Sequence, residues 1–167
     1  MNENLPRLGI DIGRVIIDGS AHPQGGDTAF FTGDEATMLA TPEMAGAFEA
    51  IARLTTRFGG RVWLVSKCGA RTQERTLRWL DGHDFHGRTG VPRDQVRFCR
   101  KREDKRRHCL ELALTHFVDD HPEVHAAIHG AVRHQYLFGA TTPSGAAVPT
   151  LTWADAERLI TASLVEC

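Results

Sequence analysis

Leu8-Gly9-Ile10-Asp11-Ile12-Gly13-Arg14-Val15-Ile16-Ile17-Asp18 reads as a short apolar strand that presents one carboxylate, Asp11, at its end. A glycine turn and a second apolar run follow it. A buried parallel strand ending in an acid marks the carboxyl edge of an open α/β sheet, where such sheets bind ligands. The other segments of the chain determine what Asp11 has around it.

Downstream, residues 19–42 are rich in Gly, Thr, Asp and Pro and read as a long loop. Within it Phe30-Phe31 are expected to pack back onto the body or over a cleft. Thr41-Pro42-Glu43 has the signature of a helix start. Met44, Ala47, Phe48, Ile51, Leu54 and Phe58 then form one apolar stripe, stopped by Gly59-Gly60. Arg61 to Ser66 is a second apolar strand. Ala70 to Asp81 is a helix with Thr76, Leu77 and Leu80 inward, and Gln95 to Cys99 a third strand. A basic tract leads into a helix bearing Cys109, Leu110, Leu112, Ala113 and Leu114. His116-Phe117-Val118-Asp119-Asp120 repeats the opening pattern. A helix over Glu123–His129, a strand over Gln135–Phe138 and a helix over Trp153–Leu164 complete the chain. The alternation predicts an α/β fold: a single-domain, Rossmann-like three-layer sandwich over residues 1–167, with about five mainly parallel strands and helices on both faces.

The bulk numbers fit that class. A chain of 167 residues, 41% apolar and 25% charged, suits one globular domain. A net charge of −1 offers no bulk attraction to nucleic acid or acidic membranes. No apolar run approaches a membrane span, and Met1 to Pro6 has no signal-peptide pattern, so the cytosol is the expected compartment. Cys68, Cys99, Cys109 and Cys167 lack disulfide or zinc spacing and read as free thiols.

In a parallel sheet the strand ends share one edge, so Asp11, Ser66, Lys105 and Asp119-Asp120 can converge. Gathered carboxylates suit Mg²⁺, a hard cation with oxygen ligands. Ser66, Lys67 and Lys105, with N–H groups at the Ser66 turn, would hold phosphate oxygens. Asp11 could then attack phosphorus with its charge screened. Phosphoryl transfer is the chemistry that needs this set.

The pattern resembles the haloacid dehalogenase-like superfamily, mostly Mg²⁺-dependent phosphatases with an aspartate nucleophile. Gly9-Ile10-Asp11-Ile12-Gly13-Arg14-Val15 is similar to the first motif of that family, and Leu64-Val65-Ser66 to the second. Lys105 is the best match to the third, with Lys67 and Lys101 as rivals, and Phe117-Val118-Asp119-Asp120 resembles the acidic fourth. The resemblance runs from residue 7 to about 138. It implies hydrolysis of a phosphate ester through an aspartyl phosphate. Asp11, Ser66 and Lys105 would be catalytic, and Asp11, the Gly13 carbonyl, Asp119 and Asp120 would surround Mg²⁺. Either Asp119 or Asp120 could be the direct ligand. A phosphorylated small molecule or nucleotide would be the substrate.

One position departs from the family. The aspartate usually found two residues after the nucleophile, the general acid/base, is Gly13 here, while its backbone carbonyl is kept. Such catalysis is worth ~10²–10⁴ in rate. Asp18, His22, Asp27 and Glu35 are candidate substitutes, as is a substrate whose leaving group needs no proton. Two other readings follow. One is a catalytically impaired phosphate-ligand or protein-binding module. The other is a nucleic-acid-end binding or processing protein using residues 93–107, which hold eight of the twenty Lys and Arg. With 54 residues between Asp11 and Ser66, a large cap has no room, which implies a capless or minimally capped member with residues 19–42 as its lid.

Overall fold

The computed structural model describes residues 5–165, so the expectations for the extreme N-terminus and Cys167 lie outside the described residues. One parallel sheet organises the chain: β1 (Leu8–Ile10), β2 (Val62–Lys67), β3 (Val96–Cys99), β4 (His116–Asp119), β5 (His134–Phe138) and β6 (Val148–Thr150). Their spatial order is β3-β2-β1-β4-β5-β6, and every pairing is parallel. The order reverses direction beside β1, between β1 and β4. A crevice opens there because the connections leave in opposite directions.

Helices cover both faces. Alternate strand residues point to opposite sides. Leu64 and Val118 join the larger apolar cluster, with Phe48, Ile51 and Leu54 of α3 (Ala47–Arg57), Trp79 and Leu80 of α4 (Ala70–Gly82) and Ile160 of α8 (Trp153–Val165). Val65 and Phe117 join the smaller cluster, with Cys109 of α6 (Lys105–Glu111) and Val124 and Ile128 of α7 (Pro122–Ile128). The three-layer α/β fold is therefore as expected, with six strands rather than about five.

Three local expectations are corrected. Residues 19–42 are not one loop: a 3₁₀ turn at Gly19–Ala21 is followed by α1 (Asp27–Thr32) and α2 (Glu35–Leu39). The helix expected to start at Thr41-Pro42-Glu43 begins at Ala47, after Gly46 at φ 74°. The intervening backbone pairs instead with the second apolar run of the opening stretch, Met44 N–H donating to Ile16 O at 2.8 Å. That run is a turn. Val15, Ile16 and Ile17 donate to the single carbonyl of Ile12, closing a compact turn with Arg14 at φ 61°. In α4 Thr76 and Leu80 are inward but Leu77 is 42% exposed, and Trp79 takes the buried place, its Nε1 donating to Thr41 O. A further short helix, α5 (Phe85–Thr89), packs against α3.

Candidate active site

Asp11 follows β1 directly, and its N–H donates to Val118 O of β4 at 2.9 Å, which fixes the carboxylate at the switch point. β1 can lie this close to β4 because Gly9 has no side chain. A Cβ there would sit 2.6 Å from both Leu114 and Phe117. β4 ends in Asp119, and Asp120 follows; oxygens of Asp11, Asp119 and Asp120 lie within 4.8 Å of one another.

Lys105, the first residue of α6, reaches into this group while only 2% exposed. Its Nζ donates to Asp11 Oδ1 at 2.9 Å and to Asp119 Oδ2 at 2.7 Å. Asp119 Oδ1 accepts the His121 N–H at 2.9 Å, so both Asp119 oxygens are engaged. Burial alone would lower the Lys105 pKa, but Asp11 and Asp119 overcome it and hold the ammonium charged. Burial and the Asp11 carboxylate push the Asp119 carboxyl up, against the pull of Lys105. Asp120 is pushed up by the same two influences. Three buried or half-buried carboxyls gather around one lysine, which bonds two of them, so ionising all three calls for a further positive charge among these oxygen donors. That donor set fits a hard divalent cation.

A cavity of about 650 Å³ opens over these groups. It brings together Asp11, Gly13, Ser66, Lys67, Lys105, Asp119 and Asp120, the residues assigned from the sequence to catalysis, phosphate and metal, but not the rival Lys101. Of the three candidate lysines, Lys105 is the one that touches Asp11; Lys67 lies exposed at the mouth. Phe30 and Phe31 also line the cavity, the former buried and the latter 49% exposed, so residues 19–42 do contribute a wall. Cys68 lines it too, with burial, helped by Cys99 and Asp11, pushing its thiol up to about 11, which suits an inert group.

The candidate substitutes for a side chain at position 13 separate cleanly. His22 is buried, its ring bonded to Thr37 O and to the Gln24 N–H. Asp18 accepts from Ser20 Oγ, and Glu35 faces Arg78. Asp27 alone among them lines the cavity, where it is ion-paired with Arg14. Sequence reading missed Arg14, Thr72, Thr76 and Arg102 as cavity residues. Thr72 and Thr76 did carry a signal, since positions i and i+4 of one helix share a face. Arg102 carried none beyond its place in a basic tract.

No protein-family model matches the chain, and no curated protein does. Among solved structures it is similar to a candidate haloacid dehalogenase-like hydrolase from Burkholderia xenovorans LB400, at 15% identity and a TM-score of 0.60. The match covers 94% of this chain and 97% of the other. The chain thus has the haloacid dehalogenase-like fold. Among the described residues, no helix is long and apolar enough to cross a membrane.

Proposed function

We propose that this chain is a Mg²⁺-dependent phosphatase of minimal architecture, a single domain with residues 19–42 as its lid. The observation that carries the reading is the Lys105 ammonium held between Asp11 and Asp119 at the switch point of the sheet. A lysine fixed in this way leaves Asp11 positioned and partly screened, which suits a carboxylate that must approach an anionic phosphoryl group. Ser66, buried at the end of β2, and the exposed Lys67 would hold the phosphate oxygens.

Mg²⁺, held by Asp11, Asp120 and the Gly13 carbonyl, would supply the positive charge that a transferring phosphoryl group requires. Asp120 is assigned in preference to Asp119 because both Asp119 oxygens already serve Lys105 and the His121 N–H. Asp119 then acts by fixing Lys105. A phosphorylated small molecule or nucleotide is the substrate class, and the cytosol the compartment.

Gly13 favours a second reading, in which turnover is lost and phosphate binding kept, since no side chain there can protonate a leaving group. Mg²⁺-dependent turnover of an aryl phosphate by the native protein and by Asp11→Asn separates the two. The phosphatase reading expects activity abolished by Asp11→Asn. Equal rates in both proteins contradict it, and no turnover with retained Mg²⁺-dependent phosphate binding selects the second reading.

Part of the basic tract behind the nucleic-acid reading is engaged elsewhere. Arg93 pairs with Asp81, Arg97 donates to the carbonyls of Asp94 and Val96, and Arg106 donates to those of Ala127 and His129.

A further inference from the structure

We propose that Lys67, Arg100 and Arg102 form a rim that holds a second phosphate group of the substrate, so that the bond cleaved is a phosphoanhydride. This rests on the phosphoryl-transfer reading above. The three residues come from two segments, far apart in sequence, that leave the sheet side by side. Lys67 ends β2 and pairs in register with Cys99, the last residue of β3. The Cys68 N–H then donates to Cys99 O at 2.9 Å. Arg100 Nη1 lies 3.8 Å from where a Cβ on Gly69 would stand, and Gly69, Lys67 and Arg102 all line the cavity.

The charge of this rim is left largely open. Several other surface arginines face carboxylates, Arg53 with Glu157, Arg88 with Glu43, Arg93 with Asp81 and Arg158 with Asp155, whereas Arg57, Arg71, Arg107 and Arg133 stand exposed away from this cavity. Among the described residues, Lys67 and Arg100 have no carboxylate within ion-pair distance. Arg102 has Glu123 at 3.6 Å, a carboxylate that is itself 72% exposed. Lys105 cannot supply this charge, being committed to Asp11 and Asp119.

Position 13 points the same way. A Cβ on Gly13 would meet nothing within 4 Å, so nothing fills the space an acid would occupy there. Among the described residues Asp27, the one lining carboxylate outside the Asp11 cluster, is paired with Arg14. Among those residues, the cavity therefore offers cations at its rim and, outside the Asp11 cluster, no unpaired acid to give an ester's leaving group a proton. An alkoxide, with a conjugate-acid pKa near that of water at roughly 15.7, departs badly unprotonated. A phosphate, with a pKa of about 6, needs only its charge neutralised.

An Asp11 oxygen bonds the terminal phosphorus, the bridging P–O bond breaks, and its electron pair leaves with the shortened phosphate chain against the rim. Water then displaces the carboxylate from phosphorus. The Asp11–phosphorus bond breaks, one proton passes to solvent, and orthophosphate is released.

Calorimetry on Asp11→Asn with Mg²⁺, comparing tripolyphosphate with methyl phosphate, tests the rim directly. Tripolyphosphate is expected to bind about tenfold tighter or better, a preference that shrinks as salt is raised. Arg100→Gln/Arg102→Gln should remove most of that preference and, in the otherwise native chain, raise KM for tripolyphosphate more than for an aryl phosphate. Equal binding of the two ligands, a preference unmoved by the double substitution, or methyl phosphate cleaved as fast as tripolyphosphate would overturn the proposal. Tripolyphosphate preferred in binding but not cleaved supports the rim and overturns the catalytic reading instead, so the two failures are told apart.

Discussion

Gly13 is the residue on which catalysis turns. Because space beyond its Cα is open and its φ is not in the left-handed region, an aspartate can be introduced there without strain. Gly13→Asp is expected to raise turnover of an alkyl phosphate by ~10²–10⁴, the usual worth of a general acid. Turnover of an aryl phosphate, whose leaving group needs no proton, should change far less. A steady-state comparison of the two substrates checks both statements, and equal gains for both would show that Gly13 is not where a proton is lacking. Lys105 carries the electrostatic counterpart. Lys105→Met leaves Asp119 and Asp11 facing one another in a buried site and should cost about 3–5 kcal/mol of stability without Mg²⁺, measured by urea unfolding.

At the scale of elements, the close approach of β1 to β4 is the feature that assembles the site. Gly9→Ala places a methyl 2.6 Å from Leu114 and Phe117 and is expected to destabilise by ~1–3 kcal/mol. It should weaken Mg²⁺ binding as well, because Asp11 and Asp119 sit at the ends of the two strands being forced apart; Tm measured with and without Mg²⁺ reports both effects. The long elements were legible because their apolar spacing is unbroken: the stripe from Ala47 to Phe58 and the strands ending in Ser66 and Asp119. The convergence of Asp11, Ser66, Lys105 and Asp119-Asp120 was legible for a simple reason, since parallel strands must share an edge. Short elements escaped. β6 is three residues with Pro149 at its centre, a composition tolerated only because it lies on the sheet edge. In α2, Asp34 accepts the Thr37 N–H at 2.8 Å, an N-cap visible in the sequence but masked by the glycines around it. The start of α3 was displaced because the 12–17 turn takes its hydrogen bonds from residues 43–44, a tertiary demand that local signals do not reveal.

Across the whole molecule, the core binds together groups that titrate. His116 begins β4, buried against His134 and Phe58, and its ring contacts Thr115 Oγ1 and Ser163 Oγ. Burial, then His134 and Arg133, pull its pKa down to about 3 from an ordinary 6.5. The native state therefore refuses a proton that the unfolded chain accepts below about 6.5. That contribution to stability is complete above this pH and is lost as the pH falls toward 3, by up to about 1.4 kcal/mol per unit. His116→Gln should lose less stability than the native chain over the same interval, as measured by urea unfolding at a series of pH values. Parallel slopes would show that His116 does not carry the difference.

The phosphatase account rests finally on a covalent bond to one side chain. Rapid quenching of the protein during turnover of an aryl phosphate in Mg²⁺, followed by peptide mapping, locates any phosphoryl group carried by the chain. The account predicts a hydroxylamine-labile acyl phosphate on Asp11, absent from Asp11→Asn. Phosphoryl transfer to any other residue, or turnover that proceeds in Asp11→Asn, would contradict it.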